Sequence, residues 1–244
     1  MIYERKNLDL HRGGRDNSQF ARFDLQKFAY EISNGTSSND TFHHLNYGDT
    51  INAGGGDDSI YNWSPYVSIN AGSGNDSVVN NRGYFSTINA GAGNDFIINY
   101  SSYGYNVVID GGVGVDSIEN YGDSLSVNGG NGDDSIHNIG HYSTIIGGKG
   151  NDFVSSDSYG NMIRYASGDG NDTISGFNID DTLNITEGLI DTYSVDNNDI
   201  VFTVGNGSIR FIDQNGKKIN VLNSNAIVTS EYYQKLAAKA PCFS

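Results

Sequence analysis

The chain has 244 residues, a formal net charge of −15, 32 glycines, two prolines and one cysteine. The length allows one or two domains, and the acidic balance argues against nucleic acid or an anionic membrane as the partner. A single cysteine excludes an internal disulfide framework, and no run approaches the ~18 apolar residues that a membrane span requires.

Residues 1–33 carry mixed charge and include an apolar group at Phe20, Phe23, Leu25 and Phe28. They precede a repeat array, and such arrays need an atypical unit to cover their first repeat. We interpret this segment as an N-terminal cap or arm, and a docking or export segment is the alternative. Its start lacks the apolar core of a Sec signal peptide.

Residues 34–176 contain a repeated pattern whose clearest copy is Ala53–Ile60, read as A-G-G-G-D-D-S-I. The sixth position is acidic in every copy and recurs every 18 to 21 residues, at Asp40, Asp58, Asp76, Asp95, Asp116, Asp134, Asp152 and Asp172. Glycine fills positions two and four in all copies but the first, at Gly54, Gly56, Gly72, Gly74, Gly91, Gly93, Gly112, Gly114, Gly130, Gly132, Gly148, Gly150, Gly168 and Gly170. This spacing is typical of a repeat protein.

Apolar residues flank each turn at fixed positions, which predicts short strands that face a narrow core. One wall consists of position eight in successive copies, at Ile60, Val78, Ile97, Ile118, Ile136 and Val154. The other lies two residues before position one, at Ile51, Ile69, Ile88, Ile109, Val127 and Ile145. An asparagine follows position eight by two residues at Asn62, Asn80, Asn99, Asn120 and Asn138. We expect these side chains to form an internal ladder that satisfies the backbone of the opposite bend.

These copies resemble the glycine–aspartate nonapeptide of the RTX (repeats-in-toxin), or haemolysin-type calcium-binding, family. The resemblance covers residues 34–176 and implies an all-β, right-handed parallel β-roll, or β-solenoid, of about eight coils. It also implies that the sixth-position aspartates and the glycine turns bind Ca²⁺, with neighbouring coils sharing each ion. Glycine permits positive φ, and Ca²⁺ takes carboxylate and carbonyl oxygens. Only one half of each coil carries the glycine–aspartate turn, so the metal row should be one-sided.

Residues 177–228 predict a β-rich C-terminal cap that closes the roll. Its alternating segments predict strands at 177–185, 199–204, 208–212 and 218–222, with turns at Gly205–Gly207 and Gln214–Gly216. Residues 229–244 predict a short helical tail, with a helix over 231–240 that Pro241 ends. Cys242 lies in this tail.

Other polar and aromatic residues have structural interpretations that we favour. His43 and His44 could form a metal pair, but adjacent residues on a strand point to opposite faces, and His137 and His141 are interpreted as surface histidines. The tyrosines of the array are Tyr61, Tyr66, Tyr84, Tyr103, Tyr105, Tyr121, Tyr142 and Tyr159. Most of them lie on or beside the return bends, which are the bends opposite the glycine–aspartate turns. They could stack on sugars or bind a protein, or they could protect the sheet edges.

The sequence predicts a secreted calcium-binding module with a structural or adhesive role that folds on binding calcium and is not an enzyme. Residues 31–176 carry a charge of −14, and such stacked charges repel without counter-ions. Members of the family leave the cell by type I export, without a Sec signal peptide. The expected partners are calcium ions and a cell-surface glycan or protein.

Two alternatives remain open. The chain could be an accessory or remnant of a secreted carbohydrate-active enzyme, although no segment outside 34–176 is long enough for a usual catalytic domain. It could also be a calcium-independent solenoid with vestigial metal sites. Val115 at position five and the glycine-poor first turn favour this second alternative.

Overall fold

The computed structural model describes residues 30–43, 45–100, 106–223 and 226–229. Most of the predicted N-terminal arm, the predicted helix over 231–240 and Cys242 lie outside these ranges. The described residues form strands and no helix, so none of them belongs to a helix long and apolar enough to cross a membrane.

The strands form two sheets of eleven strands each. The first sheet consists, in spatial order, of β1 (Ile32–Asn34), β3 (Thr50–Gly55), β5 (Ser68–Ser73), β7 (Thr87–Ala92), β9 (Val108–Val113), β11 (Ser126–Asn131), β13 (Thr144–Lys149), β15 (Met162–Ala166), β17 (Thr182–Glu187), β21 (Asn220–Asn223) and β22 (Ala226–Thr229). The second consists of β2 (Thr41–Phe42), β4 (Ser59–Asn62), β6 (Ser77–Asn80), β8 (Phe96–Asn99), β10 (Ser117–Asn120), β12 (Ser135–Asn138), β14 (Phe153–Ser156), β16 (Asn171–Ser175), β20 (Gly207–Phe211), β19 (Asp199–Val204) and β18 (Ile190–Asp196). The chain alternates between the sheets and forms a parallel β-solenoid of about eight coils, as the sequence predicts.

The core lies between the two sheets and follows the predicted walls. Parallel pairing places each wall residue beside its counterpart one coil on, for example Ile51 beside Ile69 and Ile60 beside Val78. All twelve predicted wall residues are at most 2% exposed. A one-residue slip would turn every one of them to solvent, so the apolar pattern fixes the register of the coils.

The parallel stacking continues beyond residue 176. Strand β20 pairs in parallel with β16, and β21 pairs in parallel with β17, which adds strands to both sheets without a glycine–aspartate turn. Strands β18, β19 and β22 then add antiparallel pairs at the C-terminal end.

The predicted C-terminal strands are largely confirmed. The strand at 199–204 and its hairpin turn at Gly205–Gly207 are present, but the strand predicted over 177–185 begins only at Thr182. The segment around Gln214–Gly216 passes from the second sheet to the first instead of closing a hairpin. Strand β18 is not among the predicted strands.

One residue in each return bend has left-handed backbone, with φ between 55° and 77°, at Gly48, Tyr66, Phe85, Asn106, Ser124, Tyr142 and Gly160. Each lies three residues before a residue of the first-sheet wall. Such φ values favour glycine and asparagine and are unusual for bulky residues. The left-handed conformation therefore recurs at this position while the side chain changes.

Candidate metal centre

The glycine turns bring the backbones of successive coils into direct contact. The glycines at positions two and four have φ between 92° and 142° from Gly54 to Gly170. A Cβ added to Gly91 would lie 2.0 Å from the carbonyl oxygen of Gly72, and one added to Gly93 would lie 1.9 Å from that of Gly74. Both the backbone angles and the close approach therefore require glycine.

One carboxylate oxygen of each sixth-position aspartate after Asp40 accepts a hydrogen bond from the coil before it. The backbone N–H of Asp58 donates to Oδ1 of Asp76 at 2.8 Å, and that of Asp76 donates to Oδ1 of Asp95 at 2.7 Å. The same bond recurs along the row, at 2.7 to 3.0 Å, from Asp40 to Asp172. The structure therefore brings together all eight predicted aspartates in one line on one side of the solenoid.

The second carboxylate oxygen is buried without a hydrogen-bond donor in six consecutive coils, at Asp58, Asp76, Asp95, Asp116, Asp134 and Asp152. These residues are 1 to 2% exposed. A buried charge without a partner costs far more than a buried neutral group, and burial raises the pKa of Asp95 to about 6 and that of Asp134 to about 7. Each Oδ2 atom therefore lacks a positive partner.

The donor set around these atoms suits a hard cation. Among the described residues no group of three or more His, Cys, Asp or Glu side chains could hold a metal by itself. An ion held by this row would therefore take carboxylate oxygen from the aspartates and further oxygen from backbone carbonyls of the glycine turns, which is the ligand chemistry of Ca²⁺. When bound, the ion would supply the positive charge that the Oδ2 atoms lack. The residues present fit calcium.

A second ladder runs along the outside of the same turns in the opposite direction. At position five the backbone N–H of each coil donates to the side chain of the preceding coil, as Asn75 does to Oδ1 of Asp57 at 2.7 Å and Asn94 to Oδ1 of Asn75 at 2.8 Å. Val115 continues the ladder as a donor to Asn94 but supplies no side-chain acceptor itself. This ladder is not among the features predicted from the sequence, although the recurring Asn or Asp at position five is its signal.

The predicted asparagine ladder is present at the opposite bend. Asn62, Asn80, Asn99, Asn120 and Asn138 are fully buried. The side-chain amide of each of the first four donates to Oδ1 of the next at 2.7 to 2.8 Å. Four of the five amides also donate to a carbonyl of the bend, as that of Asn138 does to Gly140 at 2.7 Å. The ladder therefore satisfies this bend without an ion.

The three histidines that the structure describes make separate contacts with other side chains. The Nε2 atom of His137 lies 3.0 Å from Oδ2 of Asp157 on the exposed face, and the ring of His141 stacks on that of Tyr159 at 4.0 Å. His43 stacks on Tyr61 at 4.9 Å, and His44 lies outside the described residues.

The aromatic residues of the return bends form stacks along the solenoid. Tyr47, Tyr66 and Phe85 have ring centroids 4.9 and 5.0 Å apart on successive coils, and each is 39 to 55% exposed. Tyr100 and Tyr121 stack in the same way at 5.1 Å. Tyr103 and Tyr105 lie outside the described residues. These rings therefore form a partly exposed aromatic row along the return bends.

Comparison with known proteins gives little beyond the fold. No protein-family model matches the chain, and no curated protein matches it. Among solved structures, the chain is similar to the extracellular lipase LipA from Serratia marcescens, with 18% sequence identity and a TM-score of 0.31. The match covers 61% of this chain and 38% of the lipase chain. At this identity and TM-score the likeness assigns neither a family nor an activity to the chain.

Proposed function

We propose that the chain is a calcium-binding β-solenoid that folds as it takes up calcium and acts outside the cell as a structural or adhesive module. One observation carries the proposal: six consecutive coils each bury a carboxylate oxygen that has no hydrogen-bond donor. A buried carboxylate without a partner is costly, and a cation at each of these turns would supply the missing partner.

Charge repulsion supports the link between calcium and folding. Two unit charges one coil apart, about 4.8 Å, repel by about 3.5 kcal/mol at an effective dielectric constant of about 20. Asp95 has such a neighbour on each side, in Asp76 and Asp116. An ion bound only by the folded chain stabilises that state by mass action, and the coils of a solenoid depend on their neighbours.

The extracellular location follows from the affinity class of such sites. Extracellular modules bind calcium with dissociation constants of roughly 10⁻⁴ to 10⁻³ M, so that their sites stay empty at cytosolic calcium levels. We propose type I export in an unfolded state. We propose that the exposed aromatic residues of the return bends, such as Tyr66 and Tyr142 at 44% and 63% exposed, bind a cell-surface protein or glycan.

The experiment is a calcium titration of protein stripped of divalent ions, followed by far-ultraviolet circular dichroism. We expect a weakly structured chain that gains its β spectrum at millimolar calcium, and we expect millimolar magnesium to give a much smaller change. Calcium counting by atomic emission on the dialysed protein provides a second readout.

A calcium-independent solenoid is the second candidate, and a specific observation favours it. The Oδ1 atoms of the aspartate row and the asparagine ladder bond the backbone of both bends without an ion. A complete β spectrum in the stripped protein, unchanged by calcium, would support this candidate and contradict ours.

We also propose that the chain has no catalytic activity, because its repeated polar groups are engaged along the row and with the backbone. A panel of glycan, ester and peptide substrates in the presence of calcium tests this. Turnover that a single Asp or His substitution abolishes would overturn the proposal.

A further inference from the structure

The first turn of the aspartate row differs from the six that follow. Position two is Thr36 instead of glycine, and its side chain turns back to the aspartate of its own coil. Oδ2 of Asp40 accepts hydrogen bonds from the backbone N–H of Thr36 at 2.6 Å and from its hydroxyl at 2.9 Å. The backbone N–H of Ser38 donates to that hydroxyl oxygen at 3.1 Å. The aspartate Oδ2 atom, which lacks a hydrogen-bond donor in the next six coils, therefore has two donors in this coil.

The last turn of the row differs in another way. Strand pairing places Ile163 beside Ile145, so Tyr165 occupies the inward position that Gly147 has one coil earlier. Two additional residues between Ile163 and Asp172 lengthen this turn. Tyr165 is 2% exposed, and its hydroxyl donates to the carbonyl oxygen of Gly170 at 2.6 Å.

Beyond this turn the row ends against apolar side chains. Ile209 lies beside Asp172 in the next coil, where an aspartate would continue the row. Oδ1 of Asp172 still accepts the backbone N–H of Asp152 at 3.0 Å. Asp172 therefore keeps the bonding role of Oδ1, and Asp40 joins the row through its backbone N–H, while their surroundings differ from those of the six aspartates between them.

We propose that Thr36 and Tyr165 close the two ends of the cation row, so that calcium is held only among the turns from Asp58 to Asp152. This inference rests on the proposed calcium-binding function. At the first turn the hydroxyl and the backbone amide of Thr36 donate hydrogen bonds to Oδ2 of Asp40. In the six turns that follow, an ion would take the place of these donors. At the last turn the ring and hydroxyl of Tyr165 fill the interior and engage a glycine-turn carbonyl. The six aspartates enclose five gaps between coils, and each gap shared by two aspartates would hold one ion.

The test counts bound calcium in four matched variants by native mass spectrometry: Asp40→Asn, Asp76→Asn, Asp95→Asn and Asp172→Asn. Asparagine has nearly the same shape, keeps one side-chain oxygen as a hydrogen-bond acceptor, and removes the charge. We expect Asp40→Asn and Asp172→Asn to bind as many ions as the parent chain. We expect Asp76→Asn and Asp95→Asn each to bind fewer.

The outcomes separate this inference from the proposed function. Loss of an ion in Asp40→Asn or Asp172→Asn, to the extent seen in Asp95→Asn, would overturn the closed ends while leaving calcium binding intact. A parent chain that binds no calcium would overturn both.

A gain-of-site experiment tests the first closure directly. The double substitution Thr36→Gly with Ser38→Gly restores glycine at positions two and four, and we expect one additional ion per chain. Thr36→Ser keeps the hydroxyl and should leave the count unchanged. An unchanged count in the double variant, with the circular dichroism spectrum of the parent, would show that Thr36 does not exclude the ion and would overturn its part of the proposal.

Discussion

The side-chain amide of Asn80 donates to Oδ1 of Asn99 at 2.7 Å, and Asn99 in turn donates to Asn120 at 2.8 Å. Replacing Asn99 with alanine would leave one buried N–H of Asn80 unpaired. It would also remove one of the two hydrogen bonds that Oδ1 of Asn120 accepts, the other coming from the N–H of Gly122 at 3.1 Å. At about 1–3 kcal/mol for each unsatisfied group, we expect a loss of roughly 2–4 kcal/mol in the free energy of unfolding. Urea denaturation at saturating calcium measures it.

Asn70 provides the control for this variant. It is exposed on the outer face of β5, in register with Asn52 and Asn89. Asn70→Ala should change the free energy of unfolding by less than about 0.5 kcal/mol. Similar losses in both variants would contradict a stabilising role for the internal ladder.

The stability of the calcium-free chain should fall as the pH rises. Burial raises the pKa of Asp95 and Asp152 to about 6 and that of Asp134 to about 7, from an ordinary value of 3.8. Because these values are higher in the folded state, folding binds protons between pH 4 and 7, and the stabilisation is lost as the pH rises through 6 to 7. Urea midpoints of the stripped protein should be lower at pH 8 than at pH 5.

Saturating calcium should reverse the order of the urea midpoints at pH 5 and pH 8. The ion binds the ionised carboxylates, and its uptake then releases protons. The urea midpoint in calcium should be higher at pH 8 than at pH 5. A stripped protein whose stability rises between pH 5 and 8 would show that the buried row does not dominate the balance.

Substitutions at Gly91 and Gly168 distinguish two costs of adding a side chain to a glycine turn: backbone strain and overlap with the neighbouring coil. Both have strongly positive φ, at 111° and 96°, but a Cβ on Gly91 would meet a carbonyl oxygen at 2.0 Å, whereas Gly168 has open space. Gly168→Ala should cost about 1–3 kcal/mol through backbone strain alone. Gly91→Ala should cost a further 1–3 kcal/mol or so for the overlap with the neighbouring coil. Thermal unfolding of both variants in calcium compares them, and equal losses would argue against close stacking of the turns.

Val115→Asn should stabilise the chain. Val115 is 56% exposed and interrupts the acceptors of the outer ladder. Asparagine would supply the missing acceptor for the next coil, and we expect a gain of about 0.5–1.5 kcal/mol. The control is Val113→Asn, at a position 55% exposed in the same turn but outside the ladder. A gain of equal size in the control would indicate a general effect of removing exposed valine.

Much of this architecture could be predicted because each coil repeats the same few constraints. The apolar walls, the line of aspartates and the asparagine ladder all follow from a fixed offset in sequence, such as the two residues from Ile97 to Asn99. Parallel pairing then places every copy beside the next, without further information.

The remaining features depend on geometry that the repeat does not encode. The opposite directions of the ladders at Asp57 and Asp58 depend on side-chain rotamers. The continuation of the solenoid through β20 and β21 carries no glycine–aspartate signal. The inward position of Tyr165 results from two additional residues in one turn, which an alignment on Asp172 conceals.

The return bends vary in length within the array, and their position matters for how such a molecule can diversify. The coils that place Asp95 and Asp116 take 19 and 21 residues, and their additional residues fall between the buried asparagine and the left-handed residue of the return bend, as between Asn99 and Asn106. Insertions there leave the glycine turn, both walls and all three ladders in register. The return bends thus form a display edge on which loops of different length and composition can be presented while the ion-binding frame stays unchanged.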